Sequence, residues 1–356
     1  MLESAVPPHL RKERLCPVST PKDYQPPFPA YCARFTPRTE DLVLVVVGVQ
    51  HASPSDYNDG AIFTIKMFMT GARDAIRPYS WDVCSMTDKR GAFNIAVFAY
   101  WKSADEHKMW EAESGIKAWW DSPDREHDGY GLFKEVFRPS IDRFETVFSS
   151  NENPEGAANM QDHISGEIEE HVYWGSMRDR MPASQDDPLD GEKNSTAGER
   201  NSGSMKRIRI PGKQNLCIIR SGQDWSDTLP AERDLYLKTM HPVLETGMNF
   251  LRDQGREIGC YANNLWAVMD PVTNEGGKER TFGFGFFRDM KALEYWSKSH
   301  PTHVDIFGGF LQYARKLDGV LSLRLFHEVY VLEKTQQEFE YIGCHAETGL
   351  LGSLRF

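Results

Sequence analysis

His327 is the residue in this chain best suited to moving a proton. It lies in Leu323-Arg-Leu-Phe-His-Glu-Val, where strand alternation puts Leu323, Leu325, His327 and Val329 on one otherwise apolar face. Two readings follow: a core imidazole bonded to a backbone carbonyl, or a general acid/base in a dry pocket that tunes its pKa. Three further polar side chains could serve it. Arg178, in Tyr173-Trp-Gly-Ser-Met-Arg-Asp-Arg, is either half of a solvated surface pair or, given the dense aromatic lead-in, a buried arginine. Ser221 ends a strand on the same face as Cys217 and Ile219, as filler or as a hydrogen-bonding group for a ligand. No G-x-S-x-G elbow surrounds it, which excludes a serine hydrolase. Glu145, in Arg143-Phe-Glu-Thr-Val, either pairs with Arg143 or occupies the position facing His327.

Ser299-His-Pro-Thr-His carries two more imidazoles. Pro301 suits the first turn of a helix, where its missing N–H costs nothing. The residue before a proline is pushed out of helical geometry, so His300 falls in the preceding turn. His303 then heads a stripe of Phe307, Phe310, Ala314 and Leu317. One imidazole above an aromatic slot suits an axial haem ligand. A helix-start histidine without function and an H-x-x-H zinc pair lacking a third ligand are the other readings. Near a helix N-terminus the neutral, ligating form of His303 is favoured. Gly308-Gly309 in the same helix would admit a flat ligand. The six cysteines, Cys16, Cys32, Cys84, Cys217, Cys260 and Cys344, include no C-x-x-C. That excludes a zinc ribbon, a dithiol redox motif and C-x-x-C-H haem attachment, and reads as free thiols in a reducing cytosol. No Walker loop or dinucleotide fingerprint is present.

The elements that must position these residues fall into a repeat. Strands are expected at 42–50, 93–100 and 143–148, and again at 215–222, 265–269, 281–287 and 322–332. Helical periods cover 102–120, 229–254 despite Pro242, a stretch from Met290, and Pro301 to about Leu317. Phe98-Ala-Tyr-Trp-Lys-Ser with Trp110 matches Phe284-Gly-Phe-Phe-Arg-Asp with Trp296. The order strand–helix–strand–strand–helix–strand, twice, predicts an α+β fold of tandem ferredoxin-like repeats pairing their sheets into an α+β barrel. The expected divisions are a proline-rich extended arm on the surface (1–38), a first half (39–181), a polar excursion (182–205), a second half (206–335) and a C-terminal tail (336–356).

Composition narrows the classes. Lys+Arg 41 against Asp+Glu 52 gives a net charge of −11, with no basic stripe, so nucleic acid is not an expected partner. At 40% hydrophobic residues in 356, the chain can bury a sizeable core. No apolar run approaches the ~18–20 residues of a membrane helix. The first thirty residues show no apolar signal core, and the expected location is the cytoplasm.

Taken together, Tyr173-Trp-Gly-Ser-Met-Arg-Asp-Arg, Asn215-Leu-Cys-Ile-Ile-Arg-Ser-Gly-Gln-Asp-Trp, His300-Pro-Thr-His, Leu325-Phe-His-Glu-Val and Arg143-Phe-Glu-Thr resemble the haem-dependent aldoxime dehydratases. The resemblance implies a haem-binding α+β barrel akin to chlorite dismutases and dye-decolourising peroxidases. It implies a small-molecule aldoxime substrate converted to a nitrile and water, with non-covalent haem b as Fe(II) and the oxime nitrogen on iron. By position, it makes His303 the proximal ligand and His327 the distal acid/base. Arg178 and Ser221 hold the oxime hydroxyl, and Glu145 is an acidic site residue. A haem peroxidase or chlorite-dismutase-like oxidoreductase, and a non-catalytic haem sensor or carrier, are the rival classes. A homodimer is left open.

Overall fold

The computed structural model describes residues 2–172, 176–192 and 206–355. In a first run, β1 (Val43–His51) leads through α1 (Gly60–Gly71) to β2 (Ser80–Thr87) and β3 (Phe93–Trp101). Helices α2 (Ala104–Glu113) and α3 (Ile116–Asp121) then lead to β4 (Gly131–Phe137). Next come β5 (Phe144–Phe148), the short α4 (Ser176–Arg180) and β6 (Arg207–Ile210). The second run starts with β7 (Leu216–Asp224), then α5 (Pro230–Leu235), a π turn (Tyr236–Met240) and α6 (His241–Asp253). It continues through β8 (Cys260–Met269), β9 (Gly276–Phe287), α7 (Met290–Ser299), α8 (Pro301–Lys316) and β10 (Arg324–Leu332). One more strand, β11 (Gln337–Ile342), follows.

All eleven strands join one sheet in the order β5-β10-β7-β9-β8-β2-β3-β1-β4-β11-β6. The two runs meet where β8 pairs with β2 through Ala267↔Ser85 and Val268↔Cys84. Outward from that seam, each run places its second, third, first and fourth strands in turn. Each run also lends a strand to the other: β5 pairs with β10, and β11 pairs with β4. The fold is α+β, and the sheet curls. Phe137 on β4 and Phe284 on β9, five strands apart, have ring centroids 6.1 Å from each other, and Phe98 on β3 lies 5.1 Å from Phe282 on β9. Closure is not completed, because β5 and β6 are the two ends of the sheet.

The concave face holds the aromatic core, and helices cover the outer face. Nine consecutive residues of β1 are buried for that reason: Leu44 and Val46 enter the aromatic core, while Val43, Val45 and Val47 meet the helices. In each run a glycine lies under a phenylalanine ring directly across the ladder. A Cβ on Gly48 would stand 2.1 Å from the Phe133 ring, and one on Gly222 would stand 2.1 Å from the Phe326 ring. The same device at the same place in both runs is an internal correspondence that residue identities conceal.

Several expectations are corrected. The stretch 102–120 is two helices, broken at Gly115 with φ +89°. Helix 229–254 survives Pro242 because the π turn ends just before it, absorbing the lost backbone donor. The arm 1–38 stays largely exposed but is anchored, with Ala5, Val6, Ala30 and Cys32 buried and Ala33–Arg34 paired with His163–Ile164. The start of the polar excursion, Pro182–Gln185, is a buried turn, since Gln185 spends its side chain on the Leu10 carbonyl and its own carbonyl on Leu15. Residues 193–205 of that excursion lie outside the described residues. The tail 336–356 contributes β11 and packs Leu350 and Leu351 into the core.

Replacing Gly222 with Ala is expected to lower folding stability by about 1–3 kcal/mol, the usual cost of overpacking, because the Phe326 ring must leave its seat. Denaturant unfolding of the purified protein measures it, and an unchanged midpoint would show that the ring is not confined.

Candidate active site

On β10, His327 lies directly across from Ser221 on β7 and Val147 on β5, and Ser221 in turn lies across from Gly283 on β9. Alternation sets Ser221 and His327 on the helix-covered face of the sheet, beside Cys217, Ile219 and Val329. Glu145, two residues from Val147 on the edge strand β5, shares that face. Its carboxylate is buried and meets two partners. The Arg180 Nε donates to Oε2 at 2.7 Å, and His327 Nε2 lies 2.8 Å from Oε1. The Arg180 guanidinium also reaches His327 Nε2 at 3.0 Å and donates to the Glu170 carbonyl at 2.8 Å.

These contacts fix a proton. A guanidinium can only donate and a carboxylate can only accept, so Nε2 cannot satisfy both at once. Glu145 is held ionised: burial would raise its pKa, but Arg180 and His327 outweigh burial and keep it below the ordinary 4.5. The proton is therefore assigned to Nε2, donating to Glu145, while the Arg180 contact is electrostatic. The exchangeable position of His327 is then Nδ1.

Arg178 does not join this group. It clasps Glu294 of α7, with Nε to Oε1 at 2.9 Å and the guanidinium to Oε2 at 2.8 Å, and donates to the Pro188 carbonyl at 2.7 Å. The arginine that reaches the site is Arg180. On a helix, positions two apart face about 200° from one another, so α4 sends one arginine outward to α7 and the other inward. Glu145 likewise pairs with Arg180 and not with Arg143, which binds Asn215 and Asp187. A further imidazole, His171, lies within the field of Arg180 and His327. Its pKa is pushed down to about 4, by burial first and by Arg180 next. Neither Arg180 nor His171 was singled out by spacing. Arg180 stood in the same Arg-Asp-Arg triplet, but choosing between its arginines needs the direction of a short helix. The lead-in residues 173–175 lie outside the described residues.

The helix pair α7–α8 supplies the other imidazoles. His300 caps α8: its Nδ1 accepts from the Thr302 backbone, and its ring stacks on Phe250 at 3.9 Å. His303, one turn in, donates from Nδ1 to the Ser297 carbonyl at 2.7 Å and lies edge-on to Trp296. That bond leaves the basic lone pair on Nε2, and burial pushes the pKa down to about 4, so the ring is neutral. Ser297 thus fixes the tautomer of His303, whereas His300 spends its Nδ1 on the cap of α8. Helix α8 packs chiefly on α6, α7 and the π turn. Gly309 meets Met240, whereas a Cβ on Gly308 would meet nothing within 4 Å. Apolar side chains of the same helix are left open, Val304 at 46% and Leu311 at 37% exposure. A neutral imidazole whose Nδ1–H is fixed on a carbonyl has the donor chemistry of a single haem ligand. Among the described residues, no cluster of three metal-ligating side chains occurs that would hold a bare metal ion.

Comparison with known proteins points to one family. The family model for haem-containing dehydratases matches residues 45–350. An aliphatic aldoxime dehydratase of Pseudomonas chlororaphis is 38% identical over 352 residues, 98% of each chain. A phenylacetaldoxime dehydratase of Bacillus sp. (strain OxB-1) is 30% identical over 337 residues, 93% of each chain. The crystal structure of an aldoxime dehydratase (OxdRE) in complex with butyraldoxime superposes with a TM-score of 0.91 at 36% identity, covering 98% of this chain and 96% of that one.

Because the folded state holds Glu145 below its unfolded pKa, its contribution to stability is present above about pH 4.5 and is lost as pH falls through the lowered value. Glu145→Gln is expected to remove that acid-side loss. At pH 7 it should cost about 3–5 kcal/mol, since a buried guanidinium is left without its partner. Unfolding midpoints recorded from pH 3 to 8 report both effects; parallel curves for the two proteins would contradict the assignment.

Proposed function

The chain belongs to the haem-containing dehydratase family, and on that premise we propose how its own residues turn an aldoxime, R–CH=N–OH, into a nitrile and water. The relatives named above act on aliphatic and arylaliphatic aldoximes, and the similar crystal structure holds butyraldoxime. The protein is a lyase with haem as its cofactor. The observation that carries the residue assignment is the buried Glu145–Arg180–His327 contact, on the sheet face that also bears Ser221. Tandem ferredoxin-like units are our reading of the fold. Their support is the shared strand order and the paired Gly48–Phe133 and Gly222–Phe326 contacts.

His303 would hold the iron, through Nε2. When bound, ferrous haem supplies a site for the oxime nitrogen and electron density for breaking the N–O bond. Hydroxide is a poor leaving group, so the N–O bond breaks only as a proton reaches the oxygen. His327 provides it. As imidazolium its Nε2–H is tied to Glu145, and the proton on Nδ1 is the one it can release. The oxime oxygen departs as water, and neutral His327 takes the carbon-bound proton at Nδ1 as the C≡N bond completes. Atoms balance, and the imidazolium is restored. Glu145 orients the ring and stabilises its charged form. Ser221 orients the hydroxyl and stabilises charge developing on oxygen, a role worth ~3–4 kcal/mol for one well-placed donor, while Arg180 holds Glu145 at the Nε2 edge of His327. The apolar surroundings exclude water from the exchange.

Reduced, anaerobic protein given butyraldoxime is expected to release butyronitrile, and ferric protein to be far less active. His303→Ala should lose haem, whereas His300→Ala should keep the reduced haem spectrum. His327→Ala should keep haem and lose ~10²–10⁴-fold in kcat, as for a general acid/base. Arg180→Ala should lower kcat with haem retained, and Arg178→Ala, which loosens α4 without touching His327, should lower it by a smaller factor. If the two arginine variants behaved in reverse, the distal assignment would have to return to Arg178.

A further inference from the structure

Arg180 sits on a helix that cannot hold itself. α4 has five residues, and isolated helices below about 12–15 residues are marginal in water. What holds it is the N-terminal arm. Asp179, 1% exposed, turns its carboxylate on Ser19 and Thr20. The Ser19 backbone N–H donates at 3.0 Å, the Thr20 backbone N–H at 2.7 Å and the Thr20 hydroxyl at 2.6 Å. A second tie lies beyond the other end of the guanidinium. Arg180 donates to the Glu170 carbonyl, and the Glu170 side chain accepts from Ser4 Oγ at 2.9 Å and from the Ala5 N–H at 2.7 Å. Asp179, next to Arg180, and Glu170, whose carbonyl Arg180 meets, are therefore both held by the arm, far away in sequence.

We propose that Asp179 is a positioning residue for the dehydration. By clamping the Ser19–Thr20 backbone it sets the direction of α4, so that Arg180 meets Glu145 and His327. The arm is then a working part of the site. Arg178 completes the fixation by binding Glu294 of α7, which pins the opposite face of the same helix. Three consecutive residues thus have three separate tasks: Arg178 ties α4 to the helices, Asp179 ties it to the arm, and Arg180 serves the chemistry. The inference rests on the reading of Arg180 as the distal arginine, and the test separates the two.

The substitutions are Asp179→Asn, Thr20→Val, Thr20→Ser, Arg180→Ala and the double change Asp179→Asn with Arg180→Ala, each as reduced holoenzyme with butyraldoxime. Thr20→Val keeps the side-chain shape and deletes the hydroxyl donor. We expect Asp179→Asn to lower kcat by about 10- to 100-fold, the scale of a catalytic group displaced by about an ångström. Thr20→Val should fall in the same direction by a smaller factor. Haem content, the ferrous spectrum and KM should stay close to the parent, and Thr20→Ser should restore kcat. In the Arg180→Ala background, Asp179→Asn should add nothing, because a residue acting through another has no effect once that other is gone. If Arg180→Ala alone leaves kcat unchanged, the distal reading of Arg180 fails. If Arg180→Ala is slow but Asp179→Asn and Thr20→Val are as fast as the parent, the clamp is overturned. Losses that follow haem content, that Thr20→Ser does not rescue, or that add fully in the double variant, also overturn it.

Discussion

A carboxylate removed from water must find a cation, and the burial of Glu145 against Arg180 is the constraint around which this molecule is arranged. An unpaired charge at that depth would cost several kcal/mol. The pair forms only if the edge strand β5, the short helix α4 and the last strand of the second run, β10, converge. Each comes from a different stretch of chain, and each is secured separately: β5 by its ladder to β10, α4 by the arm and by α7. His327 inherits its orientation from the pair. The fixed hydrogen bond on Nε2 converts a freely turning imidazole into one with a defined reactive nitrogen.

The sheet face opposite the site repeats this logic more deeply. Arg220 neighbours Ser221, and Glu328 neighbours His327, so alternation sends both into the concave core. There the Arg220 guanidinium lies over the Phe282 ring at 4.2 Å, with a Glu155 carboxylate 3.8 Å away. Glu328 accepts from the Tyr100 hydroxyl at 2.7 Å and from the Ala157 N–H at 2.8 Å. A charged cluster directly behind the reacting face makes a slip of β7 against β10 costly, since a one-residue shift would exchange the two faces. The alignment of Ser221 with His327 is thereby held from behind.

The two runs share a strand order and differ in what covers their outer faces. In the first, Trp101, Trp110 and Trp120 are fully buried beneath α1, α2 and α3, and the space is filled. In the second, Met248 and Asn263 fill the space over Gly283 and Gly285, and α8 leans on other helices while a Cβ on Gly308 would meet nothing within 4 Å. One strand order thus carries two different coverings, and side-chain volume makes the difference, not topology.

Local chemistry in the sequence was enough for a good deal. Pro301 set the start of α8 and the phase that separates His303 from His300, because a proline's effect on its neighbours needs no tertiary partner. Alternation placed His327 and Ser221 each on an apolar face of its own strand, because a strand's period is two whatever it pairs with, and the ladder then set the two opposite one another. That Arg180, and not Arg178, meets Glu145 and His327 was decided by the folded structure, since the two differ only in which way a five-residue helix points. The anchoring of the arm and the burial of Pro182–Gln185 and of β11 were decided there too. Their proline-rich and polar compositions resemble loop, and they are held because partners more than a hundred residues away take up their backbone groups. Hydrogen bonds between distant segments have no period along a chain, and so leave no pattern in it to read.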